Sequence, residues 1–123
     1  MEKLKDVAHI LHRGGIGVMP TDTIYGLVCS ALMPRAVERM YALRKRDLDK
    51  PPIILISSLS GLEVFGITPS TEELAVLERY WPGKVSVILS CPNTRFAHLR
   101  RGTDTLAFRV PDSKRLRAFL ETT

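Results

Sequence analysis

The chain has 123 residues, of which 45% are hydrophobic and 25% are charged. This balance is ordinary for one globular domain and excludes a disordered or fibrous chain. No apolar run is long enough to span a bilayer, and residues 1–6 are charged, unlike a signal peptide. We therefore predict a cytoplasmic protein with no membrane association. The two cysteines, Cys29 and Cys91, lack a CxxC partner or a histidine at ligand spacing, which predicts buried, reduced thiols and no metal site.

The net charge of +5 comes from 18 basic and 13 acidic residues and is concentrated in two segments. Residues 35–50 contain six basic and three acidic residues, and residues 95–117 contain seven basic and two acidic residues. Such clusters favour an anionic partner, either nucleotide phosphate or an RNA backbone. A solvated surface is the simpler explanation for the outer members. Aromatic residues are not interleaved with the cations, so a dedicated single-strand RNA binder is not indicated.

The first part of the chain predicts helix, strand, strand and helix in turn. Apolar residues at helical spacing predict an opening helix that Gly14 and Gly15 close. Residues 16–19 form a short apolar strand that stops at Pro20, because proline cannot continue a ladder of hydrogen bonds. A turn over residues 21–23 follows, and residues 24–31 return to buried structure. Pro34 then suits the first turn of a second helix.

The second part alternates strands with helices. Residues 44–52 are a charged loop, and residues 53–56 are a fully buried strand. A capping box at Ser70 opens a helix that ends at Pro82 and Gly83. Strands over 85–89 and 105–110 are separated by a basic loop, and residues 114–120 form the last helix. This alternation predicts a single α/β (α+β) domain over residues 1–123, with a mixed β-sheet flanked by helices.

Two polar stretches follow predicted secondary structure in the first half of the chain. Residues 20–27, PTDTIYGL, place two hydroxyls and a carboxylate in a turn, which suits a small polar pocket. An ordinary turn that satisfies its own backbone explains the same pattern. Residues 44–51, RKRDLDKP, hold four cations that can neutralise a triphosphate. A solvated helix end is the alternative there.

Two further stretches lie in the second half. Residues 81–86, WPGKVS, end a helix and lead into a strand. Residues 105–111, TLAFRVP, place Arg109 on an otherwise apolar strand. Burying an arginine without an anionic or carboxylate partner is costly, so Arg109 predicts either a ligand contact or a structural ion pair.

The four stretches in this order resemble the YrdC/TsaC family of threonylcarbamoyl-AMP synthases, from about Leu4 to the chain end. The resemblance implies a twisted mixed sheet of the YrdC/RibB-like type with a concave, positively charged cavity. It implies that L-threonine, bicarbonate and ATP react to give threonylcarbamoyl-AMP and pyrophosphate, with Mg²⁺ entering with ATP. Partner proteins would then transfer the threonylcarbamoyl group to an adenosine of tRNA, so tRNA or double-stranded RNA is an expected partner.

The resemblance also implies roles for individual residues. Thr23 would contact L-threonine, and Arg109 would hold its carboxylate. Arg46, Lys50 and Thr105 would contact ATP, together with Arg44, which stands where the family usually has a lysine. Supporting pocket residues would be Thr21, Tyr25 and Ser86. No residue is assigned as catalytic, and no aspartate constellation indicates a fixed metal site.

Departures from the family pattern define the competing hypotheses. Leu55 occupies a place where many relatives have histidine. Family members continue past residue 123 into a Ser-x-Asn segment, so we expect the domain to be incomplete at its C-terminus and the 123-residue chain to make little product. The alternatives are a non-catalytic module that binds ATP or double-stranded RNA, and a structural basic domain within a larger tRNA-modification assembly.

Overall fold

The computed structural model describes residues 2–20, 25–44, 52–101 and 103–122. It contains five helices and five strands in these ranges: α1 Glu2–His12, β1 Gly17–Pro20, β2 Tyr25–Val28, α2 Pro34–Arg44, β3 Ile53–Leu55, α3 Thr71–Tyr80, β4 Val87–Ser90, α4 Ala97–Arg100, β5 Thr105–Arg109 and α5 Lys114–Glu121. Short 3₁₀ helices span Leu59–Phe65 and Thr94–Phe96. Among the described helices, none combines the length and apolarity that crossing a bilayer requires.

The strands belong to two sheets within the described residues. β1 and β2 form an antiparallel pair, with Val18 opposite Leu27. The second sheet has the order β3-β5-β4, in which β3 runs parallel and β4 antiparallel to β5. The predicted mixed α/β fold is therefore confirmed. The described strands are divided between two sheets, however, where the sequence had predicted one.

Local sequence signals explain several helix ends. Gly14, at φ 83°, closes α1 in the left-handed region that favours glycine, and its N–H donates to Leu11 O at 3.0 Å. The capping box at the start of α3 is complete. Ser70 N donates to Glu73 Oε1 at 2.9 Å, and Glu73 N donates to Ser70 Oγ at 3.1 Å. Ser113 caps α5 by accepting from Leu116 N at 3.1 Å.

The main hydrophobic core lies on one face of the three-stranded sheet. Phe108 of β5 is fully buried, and its ring lies 5.2 Å from the ring of Phe65, which in turn lies 5.0 Å from Phe96. A smaller cluster joins α1, β1 and α5: Ala8, Leu11, Met19, Leu116 and Phe119. On the sheet's other face, Leu55 packs against this second cluster.

Several local expectations were wrong. Pro20 is the last residue of β1, paired with Tyr25, and does not stop the strand before it; a strand end tolerates the missing N–H. The expected basic loop between β4 and β5 contains a 3₁₀ helix and α4. Cys91 is buried as expected, but Cys29 is only partly buried; both thiols are free. The expected charged loop falls mainly on residues 45–51, which lie outside the described residues.

Candidate functional site

Alternate residues of β5 form a small surface on the side of the sheet opposite the main core. Because side chains alternate along a strand, Thr105, Ala107 and Arg109 point away from the core that holds Leu106 and Phe108. We call this surface the open face. It also includes the neighbours in register on the flanking strands: Ile53, Leu55, Ile88 and Ser90.

The centre of the open face is apolar and accessible. Ile53 and Ile88 flank Ala107 in register, and they are 54% and 70% exposed. Large apolar side chains this exposed on the middle of a sheet mark a place where another group can pack.

Arg109 lies at one end of the open face and is 6% exposed. Its Nη1 donates to the carbonyl of Gly83 at 3.2 Å, and Gly83 N donates to Val110 O at 2.9 Å. Trp81, which precedes a cis peptide bond to Pro82, donates from Nε1 to Val85 O at 2.8 Å. The WPGKVS and TLAFRVP stretches, which the sequence singled out separately, are thus joined through backbone and guanidinium hydrogen bonds.

Thr105 lies at the other end of the open face. Its Oγ1 is 3.2 Å from Oγ1 of Thr103, and its register partner on β4 is Ser90. Four residues of extended chain separate Thr105 from Arg109, which corresponds to about 13 Å. Ser86 is exposed and lies one residue before β4. Strand alternation places Thr105 and Arg109 on one side of the sheet.

The remaining predicted site residues are only partly covered or not covered. Arg44 ends α2 and Tyr25 begins β2, and these backbone positions are all that the structure describes of them. Thr21, Thr23, Arg46 and Lys50 lie outside the described residues. In the described ranges, no group of three or more His, Cys, Asp or Glu side chains is arranged to bind a metal ion.

Two cations of the second basic segment, Arg101 and Arg109, are largely buried, which the sequence did not predict. Arg101 has its guanidinium carbon 3.8 Å from the ring centroid of buried Tyr41. The same guanidinium forms an ion pair with Glu38 at 3.0 Å. Arg101 adopts φ 50°, which turns its side chain back towards α2 at the end of α4. The segment therefore presents fewer exposed cations than its charge count, and those that are exposed include Arg95, Lys114 and Arg115.

Comparison with known proteins identifies the family to which this fold belongs. The sequence pattern of the Sua5–YciO–YrdC family, described as "Telomere recombination", matches residues 9–123. The chain belongs to this family.

Named relatives of this Sua5–YciO–YrdC member are longer than the chain. It is 31% identical over 111 residues to a threonylcarbamoyl-AMP synthase of Bacillus subtilis, covering 89% of this chain and 32% of that protein. A solved structure of Pyrococcus abyssi Sua5 complexed with L-threonine superposes with a TM-score of 0.88 at 30% identity, covering 98% and 36%. E. coli YciO, at 24% identity and TM-score 0.83, shares the fold. The chain thus spans about a third of the first two relatives.

Proposed function

We propose that this chain is the nucleotide- and threonine-binding core of a threonylcarbamoyl-AMP synthase that serves tRNA modification. The observation that carries the proposal is the convergence of the WPGKVS and TLAFRVP stretches on the open face, with Arg109 hydrogen-bonded to Gly83. Pyrococcus abyssi Sua5, one of the relatives that superpose on 98% of the chain, has a solved structure in complex with L-threonine. The curated relative in Bacillus subtilis is named for this activity.

The proposed reaction needs positioning more than acid–base chemistry. A carbamate, formed from the amine of L-threonine and bicarbonate with loss of water, presents an oxygen that attacks the α-phosphorus of ATP. The bond between the α-phosphorus and its bridging oxygen breaks, and pyrophosphate leaves with that oxygen. Holding the two reactants in line supplies most of the rate gain in such a step. Cations, and Mg²⁺ that arrives as part of the ATP complex, stabilise the charge that moves to pyrophosphate.

The open face offers separate positions for the two reactants, L-threonine and ATP. We assign Arg109 to the L-threonine carboxylate, because a guanidinium binds a carboxylate with charge-assisted hydrogen bonds. Thr105, about 13 Å along the same strand, is assigned to ATP. Separate ends of one rigid strand hold separate parts of the reactants at fixed spacing. Thr23 is assigned to L-threonine, and the remaining assigned contacts to ATP or pocket support are Arg44, Arg46, Lys50, Thr21, Tyr25 and Ser86.

RNA and protein partners belong to the same proposal. Exposed cations on the outer surface favour electrostatic, sequence-indifferent contact with tRNA or double-stranded RNA in the cytoplasm. Transfer of the threonylcarbamoyl group to tRNA is assigned to partner proteins of the pathway. The competing function is a non-catalytic module that binds ATP or double-stranded RNA without turnover.

Pyrophosphate release tests the enzymatic proposal directly. From the 123-residue chain we expect a low rate of release that still requires both L-threonine and bicarbonate and that falls at least tenfold in Thr105→Val. Thr105→Val keeps the shape of the side chain and removes its hydroxyl. Thr94→Val, at an exposed position outside the open face, is the matched control and should leave the rate unchanged.

Calorimetric titration with ATP separates the two functions. Binding of ATP without release of pyrophosphate would assign the chain to the binding-module class. Release that does not depend on L-threonine, or that is equal in Thr105→Val and the parent, would contradict the assignment of the open face.

A further inference from the structure

The hydroxyl of Thr103, between α4 and β5, lies at the centre of a small hydrogen-bond network. Its Oγ1 is 2.8 Å from the carbonyl oxygen of Arg100, 3.2 Å from Oγ1 of Thr105 and 3.3 Å from the amide nitrogen of Thr105. A threonine hydroxyl has one proton to donate and two lone pairs that accept. A carbonyl oxygen can only accept, so the Thr103 proton is donated to Arg100 O. The carbonyl oxygen of Thr105 competes for the same proton from a longer distance, 3.3 Å.

This donor count fixes the direction of the hydrogen bond between the two threonine hydroxyls. The amide N–H of Thr105 donates to one lone pair of Thr103 Oγ1. Because the Thr103 proton is already donated to Arg100 O, the hydroxyl proton of Thr105 must be donated to the other lone pair. Thr105 Oγ1 then keeps two lone pairs and has no proton left to donate. At its end of the open face, this hydroxyl is therefore an acceptor only.

The two halves of ATP differ in what they offer to such an acceptor. The triphosphate oxygens are themselves acceptors and carry negative charge, so the lone pairs of Thr105 repel them. The nucleoside half carries hydrogen-bond donors, which are the 6-amino group of adenine and the two ribose hydroxyls. The neighbouring centre of the open face is apolar and accessible, with Ile53 and Ile88 exposed. An apolar surface beside a single polar group suits a nucleoside better than a phosphate chain.

We propose that Thr105 accepts a hydrogen bond from the nucleoside half of ATP, and that Thr103 is the positioning residue that holds the Thr105 hydroxyl in its accepting orientation. This inference rests on the proposed function, because it takes ATP as a ligand of the open face. The triphosphate is left to the cations assigned to ATP. Thr103 acts through Thr105, so its contribution is selectivity for a donor group at this position.

Calorimetric titration with analogues of ATP tests this selectivity. ITP replaces the 6-amino group with a carbonyl, and two further analogues carry fluorine in place of the 2′- or the 3′-hydroxyl. We expect the parent to bind one of these three about tenfold more weakly than ATP, because its donor is lost opposite a fixed acceptor. The analogue that is affected identifies the donor.

Variants of Thr103 then test the positioning role. In Thr103→Val the Thr105 hydroxyl can turn its proton towards the ligand, so the preference for ATP should shrink to about threefold or less. Thr103→Ser keeps the hydroxyl and should keep the preference of the parent. Thr94→Val, at an exposed position outside the open face, is the matched control and should also keep it. Circular dichroism checks that each variant folds.

A ratio of two affinities within one variant separates positioning from a general loss of stability. If the parent binds ATP and all three analogues equally, or if Thr103→Val keeps the preference of the parent, the inference is wrong while ATP binding stands. If Thr105→Val weakens ATP binding only when Mg²⁺ is present, Thr105 contacts water on the metal ion and the nucleoside assignment is wrong. If ATP does not bind, or binds equally to Thr105→Val and the parent, the proposed function of the open face fails and the inference fails with it.

Discussion

Replacing Gly83 with alanine tests the contact that holds Arg109 at the end of the open face. A Cβ at position 83 would lie 2.8 Å from the carbonyl oxygen of Tyr80, which is a backbone atom and cannot move aside cheaply. The turn must therefore shift. That shift weakens the hydrogen bonds of Gly83 to Arg109 and to Val110, at 3.2 Å and 2.9 Å.

The expected loss follows from these contacts. Each hydrogen bond contributes about 1 kcal/mol, and forced overpacking costs about 1–3 kcal/mol. We therefore expect Gly83→Ala to lower the free energy of unfolding by about 3 kcal/mol, measured by urea denaturation. Gly17→Ala is the matched control, because its added Cβ would meet side chains at an ordinary 3.8 Å. Its effect should stay within about 1 kcal/mol of the parent.

Urea denaturation of Gly83→Ala can contradict this prediction. If Gly83→Ala unfolds at the same urea concentration as Gly17→Ala, the turn at Gly83 is more tolerant than its geometry indicates. Binding of L-threonine to Gly83→Ala is a second measurement, and it tests the orientation of Arg109. If Gly83→Ala is destabilised but binds L-threonine as the parent does, Arg109 does not depend on Gly83 for its orientation.

Three further predictions concern single residues. Ser70→Ala should lower the free energy of unfolding by about 1 kcal/mol in urea denaturation, because it removes the cap of α3; an unchanged midpoint would contradict this. Arg101→Ala should cost about 2–3 kcal/mol, because it removes the stacking on buried Tyr41 and the packing around it, whereas exposed Arg95→Ala should cost less than about 1 kcal/mol. Equal losses would refute the distinction. Burial raises the pKa of Cys29 from 9.0 to about 11, so its alkylation at pH 8 should be roughly 100-fold slower than that of a free thiol. Because the folded pKa is the higher one, the associated stability is present below pH 9 and is lost between about pH 9 and 11; alkylation at the free-thiol rate would contradict the burial.

Signals that act within a few residues were predictable from the sequence. The capping box at Ser70 and the glycine that closes α1 at Gly14 form hydrogen bonds with residues three or four positions away. Both helix ends could therefore be predicted from short stretches of sequence. The alternation of strands and helices gave the fold class for the same reason. Boundaries shifted by one or two residues, as at Pro20, because pairing with Tyr25 rather than local preference sets the strand end.

Contacts between distant segments were not predictable from residue pattern. The sequence singled out the segments that contain Gly83 and Arg109, but their hydrogen bond spans 26 residues and needs the sheet to exist first. Arg101 was counted among the surface cations, whereas the left-handed backbone at that position directs it onto Tyr41. The division into two sheets follows from the placement of β2 relative to β3. That placement has no local signature.

The most direct test of the central claim is a nuclear magnetic resonance titration of ¹⁵N-labelled chain with ATP and then L-threonine. The account predicts that ATP shifts the amide resonances at Thr105 and Ala107, and that L-threonine shifts those at Arg109 and Gly83. The amides of Val76 and Arg79 on the outer side of α3 should stay unchanged. Shifts confined to residues outside the open face, or no shifts with either ligand at millimolar concentration, would contradict the assignment of this surface as the binding site.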